Sequence, residues 1–586
     1  MKKIIRMFKH VWRLGSAYWL KGEDRFGSWL LLLLSVAIML LSIATAVRMN
    51  QWYADWTNAF TSVNKDLWSQ QLQVFAIVGA VMILSGPLKG YIDGWILLRW
   101  RRWMTSVYIN NWMLNHSHYR MQLAENRIDN PDQRISEDID AFIGSTWMFT
   151  FQLLNNVIML GSFLVILWNL SNSIPLILGG RDWSFPGYFI VIALLWAIFG
   201  TYVVHWFGRE LIKLNFNQTR YEADFRFSLV RFRENSEQIA LLRGERVEHP
   251  RLMSVFYNII ANRFKIMKRN MKMSYVSAIF SQIDGVLISL LLGPAYFATA
   301  PTPGIPGGYG AIMQISQAFA TVLGTFKFFQ NLYGSLAAWK AVINRLVGFL
   351  ENAQRSEEIL LESKVKIIEQ DTEEIAIPDL RVYLPNGKLQ VTAKNMVIKH
   401  GEKVLIKGKT GAGKTTLFRV LSGLWPFGSG DIIIPKDKKV IVLPQKPYLP
   451  IGTLAEAVSY PEPPDTYSRE EMIQVLRDVD LEHFVERLDE VNHWNHVLSG
   501  GEQQRVGIAR AMLYKPDYLF FDEATASLDE PSEEKLYNIL LERLQDTTIV
   551  SIGHRSSLEK FHERIIVAEP QPNGSFAFVE RETPAV

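Results

Sequence analysis

The sequence of 586 residues contains no cysteine, which excludes disulfides, thiolate metal sites and a cysteine nucleophile. Its net charge is only +4, so the overall charge does not indicate a nucleic-acid partner. The basic, aromatic N-terminus lacks the short apolar core and small-residue cleavage site of a signal peptide. What the chain has in excess is apolar residues, which make up 48% of it against 20% charged residues.

Six apolar stretches are candidates for membrane spans, because a spanning helix needs ~20 mainly apolar residues. We number them span 1 to span 6, and they cover about 28–48, 72–98, 146–168, 187–207, 275–299 and 310–338. Span 2, which contains Gly86 and Pro87, and span 6, which contains Gly and Gln residues, are the weakest. Such residues are tolerated when neighbouring helices satisfy the backbone. The sequence therefore predicts an α-helical membrane domain with six spans.

Lysine and arginine are distributed unevenly over the segments that flank these spans. Segments 1–27, 99–145 and 208–274 carry seven, six and fourteen of them, whereas 48–71, 169–186 and 300–309 carry two, one and none. Because cytoplasmic segments are the basic ones, both termini and both long loops are predicted to be cytoplasmic. Residues 1–27 are predicted to be an amphipathic segment that lies along the inner membrane surface, the alternative being a flexible basic tail.

After residue 340 the composition changes. The membrane domain is predicted to cover 28–345, and the charged stretch 346–374 is predicted to be a linker. From 375 to 586, short apolar runs alternate with glycine turns and helical patterns, which is typical of a soluble α/β domain.

A phosphate-binding loop is predicted at "GKTGAGKTT", residues 408–416, between a short apolar run and a helical pattern. Its glycines let backbone N–H groups close around phosphate, and the helix N-terminus adds favourable potential. Lys414 would reach the β- and γ-phosphates, and the Thr415 hydroxyl would bind Mg²⁺. The candidate nucleotide contacts are Gly408, Lys409, Thr410, Gly411, Ala412, Gly413, Lys414, Thr415 and Thr416.

A second motif, "YLFFDEATASLD" at 518–529, begins with apolar residues that predict a buried strand. The strand would end at Asp522, which suits a Mg²⁺ contact, and Glu523, which suits polarising an attacking water. An acidic pair after a strand can also be a plain surface turn. However, a turn alone does not account for "LSGGEQQR", residues 498–505, just upstream.

With that octapeptide the chain resembles an ATP-binding cassette (ABC) transporter ATPase. Gln445 in "LPQKPYLP", "SLD" at 527–529 and His554 in "SIGHR" follow in the family's order. The resemblance implies that ATP and Mg²⁺ lie between the loop at 408–416 of one cassette and the signature residues of another, which here are Ser499, Gly500, Gly501 and Glu502. It also implies that Gln445 and His554 contact the γ-phosphate region, with Gln445, Thr415 and Asp522 at the metal.

The adenine contact is less sharply indicated. Tyr383, which lies 25 residues before Gly408, is the candidate for stacking on the base. Alternatively, "RVYLP" is an ordinary strand with Tyr383 in the core.

One chain carries one cassette and one six-span domain, so the resemblance implies a homodimer. Both Glu523 and the signature are intact, so both ATP sites of that dimer are expected to hydrolyse ATP.

The polar stretch "NPDQRISEDI", residues 130–139, has the features of a helix start, with Asn130 as the cap and Gln133 at capping-box spacing. In half-transporters of the exporter-like fold, the two long cytoplasmic loops end in short coupling helices on the cassettes. The resemblance therefore implies that Asp132, Arg134, Glu137 and Asp138 couple this loop to a cassette, and that "FRENSEQIALLRGE" at 232–245 is its counterpart. A solvated helix without a partner is the alternative.

Three stretches, "NPDQRISEDI", "EADFRFSLVRFRENSEQIALLRGE" (222–245) and "GLWPFGSG", also resemble one branch. That branch contains the peroxisomal and lysosomal D-type transporters, SbmA/BacA-type peptide uptake proteins and a mycobacterial cobalamin and peptide importer. SbmA/BacA-type proteins lack the cassette, so a proton-driven mode is not expected here.

Polar residues inside spans are candidates for a transport pathway. Asp284 lies near the middle of span 5, and Asn155 and Asn156 lie in span 3. Asp284 is expected at a water-filled cavity, whereas hydrogen bonding between helices is an equal alternative for the two asparagines.

The sequence thus predicts ATP-driven transport across a bacterial inner membrane. The expected direction is uptake of cobalamin or other hydrophilic compounds, including peptides, without an implied binding protein. Export of lipids or drugs is a second hypothesis, and a nucleotide-gated channel or regulator is a third.

Overall fold

The computed structural model describes residues 2–22, 24–123, 130–178, 181–298 and 308–581. The chain forms two compact units. The first, which we call the membrane unit, comprises Met1–Val107 and Asp132–Val347. The second, which we call the cassette unit, comprises Tyr108–Pro131 and Gly348–Val586.

Long helices make up the membrane unit, and two of them continue into the cassette unit. The helices up to residue 361 are α1 (Lys2–Lys21), α2 (Arg25–Thr61), α3 (Lys65–Met113), α4 (Ser117–Leu123), α5 (Pro131–Ser173), α6 (Tyr188–Glu234), α7 (Ser236–Leu241), α8 (Glu245–Ala298) and α9 (Gly308–Leu361). Two π-helical turns, Arg134–Asp138 and Met148–Gln152, interrupt α5. A small hairpin, β1 (Ile177–Leu178) and β2 (Arg181–Asp182), precedes α6.

Within the described residues, four helical runs are long and apolar enough to cross a membrane: Arg25–Thr61, Lys65–Leu123, Pro131–Ser173 and Glu245–Pro294. A fifth forms if Tyr188–Val204 and Trp206–Glu234, which meet at a 44° bend, count as one span. These runs cover spans 1 to 5, apart from residue 187, residue 205 at the bend and the end of span 5. Span 6 lies in α9 and is helical, while its crossing of the membrane stays a prediction. Residue 299 and most of the loop after it lie outside the described residues.

Span 2 is helical despite its weak pattern, because α3 continues through Pro87. The spans also expose many large apolar side chains, such as Leu33, Ile83 and Ile198. Apolar surface of this extent suits contact with lipid.

The N-terminal segment is helical in α1 and packs against α2 and α3. Tyr18 stacks on Trp100 with 5.8 Å between ring centroids, and its hydroxyl lies 2.7 Å from Oγ of Ser28. An ion pair between Asp24 and Arg99 joins the start of α2 to α3. The segment is therefore a packed helix rather than a flexible tail. Its position on a membrane surface stays a prediction.

The cassette unit is built on a ten-stranded sheet with the strand order β3-β7-β4-β5-β14-β13-β6-β12-β11-β8. Its strands are β3 (Lys364–Gln370), β4 (Glu374–Tyr383), β5 (Leu389–Lys399), β6 (Lys403–Gly408), β7 (Gly428–Pro435), β8 (Val440–Leu443), β11 (Tyr518–Asp522), β12 (Thr548–Ile552), β13 (Arg564–Pro570) and β14 (Phe576–Arg581). A separate pair comprises β9 (Gly452–Thr453) and β10 (Val491–Asn492). The helices are α10 (Lys414–Leu421), α11 (Leu454–Ser459), α12 (Arg469–Asp478), α13 (Trp494–Val497), α14 (Gly500–Tyr514) and α15 (Glu530–Arg543).

The predicted buried strand at 518–522 is β11, and both of its faces are covered. Leu519 and Phe521 belong to one apolar cluster, whereas Tyr518 and Phe520 belong to another. This alternation follows from the two-residue period of a strand. The predicted order of a helical membrane domain followed by an α/β domain is confirmed, and the second domain contains a large sheet.

Residues 346–374, predicted to be a linker, contain regular structure. They include the last turns of α9 and the edge strand β3. The short helix α4 packs on this region, because Arg120 Nε donates to the Ser356 carbonyl at 3.2 Å and Leu123 packs against the apolar cluster of the sheet. Thus a piece of the chain between spans 2 and 3 belongs to the cassette unit.

Candidate functional site

Four predicted site residues follow the carboxyl ends of neighbouring parallel strands. In the sheet register, Asp522 of β11 pairs with Ile552 of β12, which pairs with Ile406 of β6. His554 follows β12 by two residues, and Gln445 follows β8, the other neighbour of β11, by two. Open α/β sheets bind ligands at this edge. The sheet therefore brings the loop at 408–416, Asp522, Glu523, His554 and Gln445 to one edge.

The loop at 408–416 joins β6 to α10 and turns through two glycines with positive φ, Gly411 (82°) and Gly413 (83°). A Cβ at Gly413 would collide with the Val391 side chain, so only glycine fits there. Lys409 and Thr410 are exposed on the loop, while Ala412 and Thr416 are buried.

Lys414 at the start of α10 points its ammonium group back into the loop. Its Nζ donates to the Gly408 carbonyl at 2.9 Å and lies 3.2 Å from Nε2 of His554. Burial lowers the pKa of Lys414, and the nearby carboxylates of Glu523 and Asp522 oppose that effect. The ammonium group is thus held within the loop that is predicted to bind phosphates.

The predicted metal-binding pair is in direct contact. Thr415 Oγ1 donates to Asp522 Oδ1 at 2.9 Å, so a hydroxyl and a carboxylate oxygen converge beside the loop. Burial raises the pKa of Asp522, while the hydrogen bond from Thr415 lowers it. Oxygen ligands of this kind suit Mg²⁺. Gln445 is exposed. It lies at this edge of the sheet because it follows β8, which pairs with β11.

Glu523 has φ of 53°, a left-handed conformation that is unusual for a residue other than glycine. Its backbone N–H donates to the Ile552 carbonyl at 3.2 Å, which fixes the turn against β12. Its carboxylate oxygen Oε1 lies 3.2 Å from Nε2 of His554. The turn therefore directs the predicted base toward the predicted γ-phosphate contact.

The signature residues begin α14. Ser499 is its N-cap, and a capping box links it to Glu502, whose carboxylate accepts from the Ser499 N–H at 2.8 Å. Burial acts to raise the pKa of Glu502, but hydrogen bonds from Ser499 and His483 lower it overall. Ser499 and Gly500 are exposed, and a Cβ on Gly500 would lie 3.6 Å from Oγ of Ser527.

One buried residue that the sequence analysis did not single out connects these loops. Gln504, 3% exposed, donates through Nε2 to the Gln445 carbonyl at 3.0 Å and accepts through Oε1 from the Ser527 N–H at 2.9 Å. Gln504 belongs to the motif "LSGGEQQR". That its side chain points into the cassette follows only from its position on the buried face of α14.

Tyr383 ends β4 and is half-buried, next to the fully buried Val382. Its cross-strand partner is Leu389. The following residue, Gln390, lies 3.3 Å from where a Cβ on Gly413 would be. Tyr383 is therefore not a core residue and lies on strands that contact the phosphate loop, while its stacking on adenine stays a prediction.

Residues 131–139 are helical, but the residue before them differs from the predicted cap. Asn130 has φ of 53° rather than the extended conformation of an N-cap, and Gln133 donates to Glu137 at 2.9 Å. Asp132 and Glu137 lie on partly or fully exposed turns of α5.

Arg134 and Asp138 are paired inside the membrane unit. Asp138 is 4% exposed, and its carboxylate accepts from Arg134 at 2.9 Å and from two nitrogens of Arg345, at 2.8 and 2.5 Å. Arg345 of α9 is therefore a partner of Asp138 within the membrane unit, while the coupling of this stretch to a cassette stays a prediction. A solvated helix without partners does not describe the stretch.

The pathway candidates have different surroundings. Asp284 lines a cavity of about 240 Å³ between α6, α8 and α9, and its Oδ1 accepts from Trp196 Nε1 at 2.6 Å. Asn156 donates to the Gln152 carbonyl of its own helix at 2.6 Å, rather than to a neighbouring helix. Asn155 is half-buried beside it.

Comparison with known proteins agrees with this geometry. The family "ABC transporter transmembrane region 2" matches residues 21–297, and the family "ABC transporter" matches residues 391–526. The inner membrane ABC transporter ATP-binding protein YddA of Escherichia coli is 31% identical, over 92% of this chain and 93% of YddA. The chloroplastic ABC transporter D family member 2 of Arabidopsis thaliana is 29% identical, over 97% of this chain and 87% of that protein.

Among solved structures, a bacterial Atm1-family ABC exporter with ATP bound matches with a TM-score of 0.66 at 17% identity, over 94% of this chain and 95% of that one. A helical membrane unit fused to a single ATP-binding cassette defines an ABC half-transporter. The chain belongs to the ABC transporter family, with YddA-type and D-family relatives, and its cassette binds and hydrolyses ATP to drive transport across a membrane.

Proposed function

We propose that two copies of this chain form a homodimer that takes up a hydrophilic solute across the bacterial inner membrane. The observation that carries the proposal is the division of the ATP site within one cassette. The phosphate loop, Asp522, Glu523 and His554 cluster at one edge of the sheet, whereas Ser499 and Gly500 are exposed at the start of α14. An exposed signature suits completion of the ATP site of a second copy.

In this proposal each side chain has one task. Glu523 takes a proton from the attacking water, and Lys414 offsets charge on the phosphates. Nε2 of His554 faces both Lys414 and Glu523. It accepts a hydrogen bond from Lys414 when it carries no hydrogen, and it donates to Glu523 when it carries one. Mg²⁺, which would offset phosphate charge, would be held by Thr415 and Asp522 with Gln445 nearby.

The localisation and the substrate class rest on different support. YddA is an inner-membrane protein by name, and the basic loops suit cytoplasmic cassettes. Asp284, at a cavity between three helices of the membrane unit, is an acidic group that a hydrophilic solute such as cobalamin or a peptide would meet. The direction of transport comes from the resemblance to the importer branch.

A second function, export of a lipid or drug, is favoured by the same cavity. Apart from Asp284 and Ser277, its described lining consists of aromatic, aliphatic and small residues, among them Trp196, Phe280 and Phe326. Because the chain is free of cysteine, Asp284→Cys gives a single labelling site. Reaction with a polar reagent indicates a wet pathway, and full protection in every nucleotide state indicates burial.

The experiment that tests the main proposal is uptake of labelled cobalamin by bacteria that lack their own inner-membrane cobalamin importer. We expect uptake with the wild-type chain and none with Glu523→Gln at matched expression, because that variant keeps ATP bound but lacks the base. Glu542→Gln, the same substitution at an exposed glutamate of α15 outside the ATP-site motifs, is the control for the loss of one charge.

Absence of uptake by the wild type, with its ATPase activity intact in lipid, would remove cobalamin and favour export. Continuous ion current on ATP binding, without matching hydrolysis, would instead indicate a nucleotide-gated channel. Hydrolysis at the wild-type rate by Glu523→Gln would show that Glu523 is not the base.

A further inference from the structure

A cavity of about 600 Å³ lies between α6 and α8 and is lined by residues within 210–221 and 258–272, so that its nearest residues lie three positions beyond the predicted ends of spans 4 and 5. We call it the basic cavity, since its charged lining residues are Lys213, Lys265, Lys268, Arg269, Lys272 and a single carboxylate, Glu210. Glu210 pairs with Arg269 at 2.8 Å. Four lysines therefore remain in excess around one cavity, and like charges at such spacing repel unless an anion lies between them.

Arg269, which lines the cavity, carries one donor that lacks a partner within the described part of the chain. Its Nε is buried and has no hydrogen-bond partner among the described residues, although its Nη2 reaches Glu210. Buried donors are nearly always paired in folded proteins. An acceptor supplied from outside the chain would complete the site.

The cavity walls are fixed by polar contacts between the two helices. Asn262 of α8 is buried and donates to the Leu214 carbonyl of α6 and to Oε1 of Gln218, both at 2.9 Å. These contacts hold α6 and α8 together along the cavity. The lysines therefore extend from two helices that are joined by hydrogen bonds.

The surroundings of the cavity favour a lipid over a soluble anion. Glu210 and Lys272 lie within about one helical turn of the predicted ends of spans 4 and 5. Ile212, Met267 and Met271 on the same helices are more than half exposed. A phosphate group beside apolar chains matches this combination of charge and exposed apolar surface.

We propose that the basic cavity binds the phosphate headgroup of an anionic phospholipid from the cytoplasmic leaflet. The inference rests on the orientation in the proposed function, which places this end of spans 4 and 5 in the cytoplasm. The headgroup offsets the excess lysine charge, accepts from Arg269 and joins α6 to α8 where they enter the bilayer.

The test is retention of phosphatidylglycerol by the purified full-length protein, counted by native mass spectrometry after release from vesicles of phosphatidylcholine with phosphatidylglycerol. Lys268→Gln with Lys272→Gln removes two cavity charges, and about tenfold weaker retention is expected. Arg226→Gln with Arg233→Gln removes two exposed charges elsewhere on α6 and should retain lipid as the wild type does. Lys268→Arg with Lys272→Arg, which keeps both charges, should also retain it.

The following results would overturn the inference. Equal retention by the glutamine variant would show that lipid binds elsewhere. Displacement of the lipid by inorganic phosphate at low concentration would assign the cavity to a soluble phosphate. Loss of the dimer in the glutamine variant, with lipid retained, would assign it to the subunit interface. ATPase activity in the same vesicles separates the two proposals, because wild-type hydrolysis without lipid retention contradicts only this inference.

Discussion

At the scale of single residues, Gln504 holds two loops of the ATP site with the two ends of one amide. We expect Gln504→Leu to lower kcat for ATP hydrolysis at least about tenfold with little change in ATP binding, because each buried group left unpaired costs ~1–3 kcal/mol. Steady-state ATPase kinetics and nucleotide-binding titrations measure the two effects separately.

Two further variants make the Gln504 prediction specific. Gln504→Glu keeps an acceptor for the Ser527 N–H but turns an oxygen toward the Gln445 carbonyl, so a partial loss of kcat is expected. Gln474→Leu changes an exposed glutamine of α12 and should leave kcat unchanged. A normal kcat for Gln504→Leu would show that the loops are held in place without this amide.

His562 links the stability of the cassette to pH. Its Nδ1–H donates to the Leu558 carbonyl at 2.8 Å, so Nε2 of the neutral ring accepts from the Ser551 hydroxyl, also at 2.8 Å. Burial lowers the pKa of His562, and the hydrogen bond to Leu558 opposes this only in part. The unfolded chain therefore binds the proton first as pH falls.

Neutral His562 therefore contributes its full stability above pH 6.5, the pKa of histidine in the unfolded chain. That contribution is lost as the pH falls from 6.5 toward the lower pKa of His562 in the folded chain. Hydrogen exchange of β12 and β13 should accelerate between pH 7 and about 5.5, after correction for the intrinsic rate. His562→Gln, which cannot titrate, should reduce that pH dependence. An unchanged dependence in the variant would assign it to other groups.

At the scale of elements, the ion pairs around Asp138 tie α5 to α9. We expect Asp138→Ala to destabilise the membrane unit by roughly 3 kcal/mol, since it leaves two arginines without their carboxylate. Asp140→Ala is the matched control, because its pair with Arg101 is exposed and is worth only ~0–1 kcal/mol. Thermal unfolding of both variants in detergent measures the difference, and equal midpoints would contradict the prediction.

A charge swap separates stability from coupling in the same element. Arg134→Glu alone should uncouple ATP hydrolysis from transport, because it sets a second carboxylate beside Asp138. Arg134→Glu with Asp138→Arg restores the pair within α5 but places an arginine against Arg345. If the double variant were fully coupled, the contact with Arg345 would have no part in coupling.

The elements also show which parts of the structure could be predicted from the sequence. Hydrophobic runs predict spans 1 to 5, and short motifs predict the cluster at Asp522, since each is a local pattern. The contacts of Arg120 with Ser356 and of Asp138 with Arg345 join residues more than 200 positions apart, and no local pattern encodes such partners. Gln504 lies within a predicted motif, but which of its neighbours faces inward depends on packing.

At the scale of the whole molecule, the proposed homodimer places Ser499 of one chain against the phosphate loop of the other. The chain has no cysteine, so Lys409→Cys with Ser499→Cys introduces the only two thiols. Both positions are exposed in the single chain. In a Glu523→Gln background, which is expected to hold ATP without turnover, oxidation should give a product of twice the 67.3 kDa chain mass.

Comparison of variants decides whether that product reports the composite ATP site. Ser499→Cys with Asn386→Cys, which moves the second thiol to the exposed β4–β5 turn, should stay at the mass of one chain. Adding Lys414→Ala should reduce cross-linking of the Lys409 and Ser499 pair, because bound ATP is what draws the two cassettes together in the proposal. Cross-linking that is equal with and without ATP would indicate contact without a shared site. An internal disulfide at the mass of one chain would place the signature beside its own phosphate loop and exclude the composite arrangement.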